Sequence, residues 1–133
     1  MANVLFSKGR EGILDRTIDM TGDVRAMLVK SAYSFDDADE FLADLGANDN
    51  GRSAALGGKT YTGGVFDATD TTLIARAAVA SNALVLFQHT GDDATARLIA
   101  YIDSPTSGLP FTPAAGQTVD VAWDSGSNRI FKL

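Results

Sequence analysis

The sequence predicts a mostly β domain, arranged as a β-sandwich or a jelly-roll-like barrel. Two observations carry that expectation. The acidic residues are nearly all aspartate, with only Glu11 and Glu40 as glutamates, beside 13 glycines and abundant threonine, a set that suits strands and turns better than helices. Apolar, β-forming runs also recur between turn signals, giving about eight short strands at roughly 8–15-residue spacing. The 133 residues, 45% of them apolar and 21% charged, suit one domain spanning 1–133, and without cysteine its core must hold without disulfides.

The elements follow in order. Residues 6–15 place Phe6, Ile13 and Leu14 at helical spacing, but Gly9 and Gly12 each weaken a helix by roughly 1 kcal/mol, so residues 1–22 are expected to form a partly helical N-terminal arm. The run Val24–Lys30 is rich in β formers and reads as a strand. A helix is expected near residues 35–45, where Phe35, Ala38, Phe41, Leu42 and Leu45 recur at helical spacing, Ser34 and Asp37 resemble a capping box, and Gly46 is a natural stop. Residues 48–51 read as a turn. Strands are then expected at 54–62, 65–66, 71–78, 83–88, 97–103, 118–123 and 129–133. Two pairs of these are expected as hairpins, one turning at 90–93 and one at 124–128. Between them, residues 104–116 carry all three prolines and no charge, an extended loop long enough to be a contact surface.

Composition narrows the function. A net charge of −6 repels a phosphate backbone, so free nucleic acid is not an expected partner. The uncharged stretch 77–91 is too short to span a bilayer and is interrupted by Ser81, Asn82, Gln88, His89 and Thr90, so no membrane is expected either. The apolar run at residues 1–6 meets Lys8, Arg10 and Glu11 at once, unlike a signal peptide.

No catalytic pattern stands out. His89, the only histidine, sits between Gln88 and Thr90 beside a turn, and neither a nucleophile elbow nor a zinc-protease motif is present. Asp36, Asp37, Asp39 and Glu40 are expected as solvated acids on the opening turns of the helix, where they favour its dipole. The Asp49-Asn50-Gly51 run lacks the alternating ligands and distal glutamate of a calcium loop. The pairs Gly57-Gly58 and Gly63-Gly64 match no phosphate-binding spacing and are expected to bracket a strand. Trp123 shares one strand face with Val119 and Val121 and is expected in the core. No cofactor, metal or catalytic residue is assigned.

Four stretches resemble a recurring family of small virion structural proteins of tailed bacteriophages: MANVLFSKGRE at 1–11, GKTYTGGVFDA at 58–68, TGDDATARLIAYID at 90–103 and WDSGSNRIFKL at 123–133. The similarity covers most of the chain and includes no catalytic signature. It implies a non-enzymatic virion component assembled in the host cytoplasm, favoured as a head decoration, or cement, protein that binds the major capsid protein and copies of itself. Capsid contacts are then expected from the arm, at Phe6, Lys8, Arg10 and Arg16, and from the proline-rich loop, at Pro105, Leu109, Pro110 and Phe111. The alternative is a tail, head-to-tail connector or host-receptor-binding fibre component. Exposed Tyr33, Tyr61 and Tyr101 clustering in a shallow groove would favour that receptor-binding reading.

Overall fold

The two longest uninterrupted apolar runs of the chain become neighbouring antiparallel strands, β6 (Ser81–Gln88) and β7 (Leu98–Ile102). The structure, a computed structural model, describes residues 4–103, 112–123 and 130–132. Together with β1 (Val4–Leu5), β2 (Val24–Lys30) and β3 (Asp49–Arg52), these strands form a five-stranded antiparallel sheet in the order β1-β7-β6-β2-β3. The register pairs Leu28 with Leu84 and Val85 with Tyr101.

The sheet is buried on both sides, which is why β6 and β7 carry apolar residues at successive positions. One face presents Val24, Ala26, Leu28, Leu84 and Leu86 to β4 (Val65–Phe66), β5 (Thr71–Ile74), β8 (Thr118–Val121) and β9 (Phe131–Lys132). Val119, Val121 and Trp123 are buried on this side as expected. The opposite face presents Met27, Val29, Val85, Phe87 and Tyr101 to Phe6, Tyr33, Leu42 and Leu45. The mostly β class therefore holds. Among the described residues, however, the shorter strands form two separate pairs, β4-β9 and β5-β8, and not one continuous second sheet.

Several expectations need correction. Within the expected arm, residues 4–22 do not stand apart from the sheet, because β1 pairs with β7 and helix α1 (Ser7–Asp15) lies against the same strand. A Cβ on Gly9 would stand 2.4 Å from the Ile99 carbonyl oxygen, so glycine is what allows this approach. No helix spans 35–45. Only a 3-10 turn at Leu42–Asn48 forms, broken at Gly46. Aspartates there bond the backbone locally instead: Asp36 Oδ1 accepts from the Ala38 N–H, and Asp44 Oδ2 accepts from the Glu40 and Phe41 N–H groups. Asp37 is diverted to α1, where it accepts from the Ser7 N–H at 3.0 Å and from the Ser7 hydroxyl, capping a helix that has no side-chain cap of its own.

Where a turn was expected, at 48–51, β3 forms. Asn50 is fully buried and bonds the Ala77 carbonyl and N–H and the Ser81 hydroxyl. Gly51, at φ +122°, admits the Ile74 carbonyl to within 2.2 Å of where a Cβ would stand. Residues 54–62 form no strand, only an isolated bridge from Thr60 to Asp67, with another from Ser53 just before them to Leu73, and Gly63-Gly64 belong to a 3-10 turn. Among the described residues, the last two strands do not pair with each other. β8 pairs with β5 and β9 with β4, while the expected turn at 124–128 lies outside the described residues.

Candidate functional site

The surface feature that these elements build is an open apolar groove of about 190 Å³ between the end of α1 and the β4-β9 pair. Ile13, Met20, Tyr61, Val65, Phe66 and Phe131 line it. Each wall has a local cause. Phe66 and Phe131 face each other across the β4-β9 register and stack at 5.2 Å, with Tyr61 tilted on Phe66 at 5.9 Å. Gly12 lets α1 close onto Ile18, whose N–H bonds the Gly12 carbonyl at 2.9 Å, and this holds Ile13 at the rim.

Met20 is set by the turn at 19–22. The Gln88 amide pairs with both backbone groups of Asp19, the Tyr61 hydroxyl donates to the Met20 carbonyl at 2.9 Å, and the Lys59 ammonium donates to the Gly22 carbonyl. Partial burial, and then the charge of Asp19, push the Tyr61 hydroxyl above its ordinary pKa. Hydrogen bonds from the Thr21 hydroxyl and N–H hold Asp19 below the usual carboxylate value. The groove is thus apolar inside with an ionised carboxylate at its edge.

Beside it, Leu14 is the most exposed large apolar residue among the described residues, at 80%. Arg16 follows in the left-handed region at φ 72°, a conformation ordinarily left to glycine or asparagine at a helix end. Asp15 turns back to the Thr17 N–H and hydroxyl, which hold it below its ordinary pKa.

The residues expected to contact a capsid are therefore dispersed. Phe6 is fully buried, tilted on Phe35 at 5.0 Å, and its side chain cannot meet a partner. Lys8 is ion-paired with Glu11 at 3.0 Å, and Arg10 donates to the Leu5 carbonyl and the Ser7 hydroxyl. Arg16 has no partner among the described residues and points to solvent. Pro105, Leu109, Pro110 and Phe111 lie outside the described residues. The tyrosines do not make a surface cluster: Tyr33 and Tyr101 are buried 6.1 Å apart, and only Tyr61 is exposed. Sequence inspection missed the groove because its walls come from four separated segments, and no local pattern announces that they meet.

The acids likewise serve the fold. Asp39 accepts from the Tyr33 hydroxyl and Glu40 pairs with Arg97 at 2.9 Å, while Arg52 bridges Asp49 and Asp93 at 2.8 Å each. Among the described residues, no group of three or more metal-ligating side chains converges, and no helix is long and apolar enough to cross a membrane.

No family model, curated protein or solved structure matches the chain. The groove offers apolar area with a charged edge, which suits the side chains of another protein better than a polar small molecule.

Proposed function

We propose that this chain is a non-enzymatic structural component of a tailed-phage virion, a head decoration protein that binds the major capsid lattice and stabilises it. The observation that carries the proposal is a docking face, the apolar groove with Leu14 and Arg16 beside it, mounted on a sheet packed on both sides. A decoration protein needs a self-sufficient fold and a small complementary surface, because weak contacts repeated across a shell add through avidity. The resemblance of the four sequence stretches to phage virion proteins supplies the setting.

The contact geometry differs from the one the sequence suggested. An N-terminal arm that becomes ordered on binding is replaced by a preformed face at the end of α1, so docking carries little ordering cost. Quantitative mass spectrometry of purified virions tests the assignment. A copy number comparable to that of the major capsid protein is expected. A few copies per particle would point to a tail or connector role, and absence from the particle would end the virion reading.

A further inference from the structure

We propose that Asn50 is a fold-gated modification site, a side chain that converts spontaneously to aspartate or isoaspartate when β3 opens and is held inert while β3 is closed. The reaction needs only the chain and water. The Gly51 nitrogen, on losing its proton, attacks the side-chain carbonyl carbon of Asn50, Cγ. That C–N bond forms, the bond from Cγ to Nδ2 breaks, and Nδ2 leaves as ammonia, taking up the proton that Gly51 gave up. Water then opens the resulting cyclic imide at either carbonyl, giving aspartate or a backbone rerouted through the side chain, isoaspartate. Glycine hinders this attack least, since it has no Cβ, and Asn50 is the only asparagine of the sequence that glycine follows.

The fold dictates both members of this reactive pair. Position 50 is fully buried and must donate as well as accept: Nδ2 donates to the Ala77 carbonyl at 3.2 Å and the Ser81 hydroxyl at 3.0 Å, and Oδ1 accepts from the Ala77 N–H at 2.8 Å. A short primary amide supplies that set. Position 51 must be glycine, because its φ is +122° and the Ile74 carbonyl fills the place of a Cβ. The same contacts keep the pair inert. The attack must make Cγ tetrahedral and expel Nδ2 while three hydrogen bonds hold the amide in place. The Gly51 N–H donates to Asp49 Oδ1 at 2.8 Å, and the charge of that carboxylate opposes loss of the proton. Burial of both residues also keeps out the water that opens the imide.

Conversion is one-way. Aspartate has no donor for the Ala77 carbonyl, and it places a charge at a site without exposure, next to an Asp49 carboxylate that Arg52 and Arg76 already bind at 2.8 and 3.0 Å. Isoaspartate adds a backbone atom to β3 and breaks its register with β2, where Met27 faces Arg52 and Val29 faces Asp49. A copy that stays open long enough is thereby withdrawn from the folded pool. This holds whatever particle the chain belongs to, so it stands apart from the virion reading.

Tandem mass spectrometry of the full chain, digested after timed incubation in mildly alkaline buffer with and without urea, reads conversion at each asparagine. Where opening and closing are fast, native conversion runs at the unfolded rate multiplied by the open fraction, so Asn50 should convert at least about a hundredfold faster in urea than in buffer. In urea it should also convert ahead of Asn48, which aspartate follows. Ser81→Ala removes one partner of Nδ2 and should speed native conversion about two- to tenfold without changing the rate in urea. The wild-type comparison needs no variant and stands even if Ser81→Ala fails to fold. On removal of urea, unconverted chains should regain the native circular dichroism, and converted chains should stay in the fraction that protease cleaves. Equal rates in buffer and urea, Asn48 keeping pace with Asn50 in urea, a folded Ser81→Ala chain that converts at the wild-type native rate, or converted chains that refold and resist protease would each overturn the proposal.

Discussion

Gly9→Ala sets helix propensity against packing and gives opposite answers depending on which governs. In an isolated helix the change gains about 1 kcal/mol, because alanine loses less backbone entropy than glycine. In this protein the added Cβ would stand 2.4 Å from the Ile99 carbonyl oxygen and 3.1 Å from the Ile99 carbonyl carbon and Cα, all rigid backbone of β7. Ordinary contact begins at 3.4 Å, so α1 must withdraw by about 1 Å (3.4 − 2.4), enough to forfeit a quarter to half of the dispersion energy across that contact. Overpacking of this kind costs about 1–3 kcal/mol, and against rigid backbone the upper part of that range, about 2–3 kcal/mol, applies, which leaves a net loss of about 1–2 kcal/mol after the propensity gain.

Gly12→Ala is the internal control. Its Cβ would meet the tip of the Ile18 side chain at 2.6 Å, a group that can turn aside, so the two effects should cancel to within about 0.5 kcal/mol. Urea unfolding followed by circular dichroism distinguishes the pair. With a slope of about 1–3 kcal/mol/M, Gly9→Ala should lower the midpoint by about 0.5–1 M while Gly12→Ala leaves it nearly unchanged. A Gly9→Ala protein as stable as the wild type would refute the close seating of α1 on β7.

Three further outcomes follow from the same structure. Phe6→Ala should cost about 3–5 kcal/mol in urea unfolding, since the ring is fully buried, whereas a side chain on a dispensable arm would cost almost nothing. Asp37→Ala should cost about 1 kcal/mol through loss of the α1 cap, and a double-mutant cycle with Ser7→Ala should show coupling between residues 30 apart in sequence. Bonds from the Arg52 guanidinium hold Asp93 below the ordinary 3.8, and N–H groups of Phe41 and Glu40 do the same for Asp44. A depressed carboxylate adds stability that is complete above its unfolded pKa and is lost as pH falls through the folded one, so stability should decline below about pH 4, and Arg52→Met should flatten part of that slope in pH-dependent unfolding.

The strands that the sequence shows plainly are those whose signal is local. β2, β6 and β7 are long, continuous and rich in β formers, and their lack of strict alternation already reflects burial on both faces. Helix α1 is visible despite its glycines, of which Gly9 seats it against Ile99 on a strand about 90 residues away. The failures share one cause. In 34–46 the apolar spacing was helical, but Asp36, Asp37 and Asp44 found partners that an α-helix would have excluded.

At β3, Asn50 and Gly51 have the chemistry of a turn. They form a strand only because Ala77, Ser81 and Ile74 complete their environment. The partners of β8 and β9 were misjudged for a related reason: a turn between two strands does not oblige them to pair when β5 and β4 offer better neighbours. Phe6 looked like a hydrophobic anchor on an arm because nothing near it in sequence shows that Met27, Val85 and Tyr101 surround it. The groove is legible only once 13, 20, 61–66 and 131 have been brought together.

The most direct test of the central claim is an electron cryomicroscopy reconstruction of the intact virion into which this chain is fitted. The account predicts density for many copies on the outer capsid lattice, with the end of α1 and the β4-β9 pair turned toward a neighbouring protein. Density confined to the tail, or a lattice position in which that face looks into solvent, would contradict it.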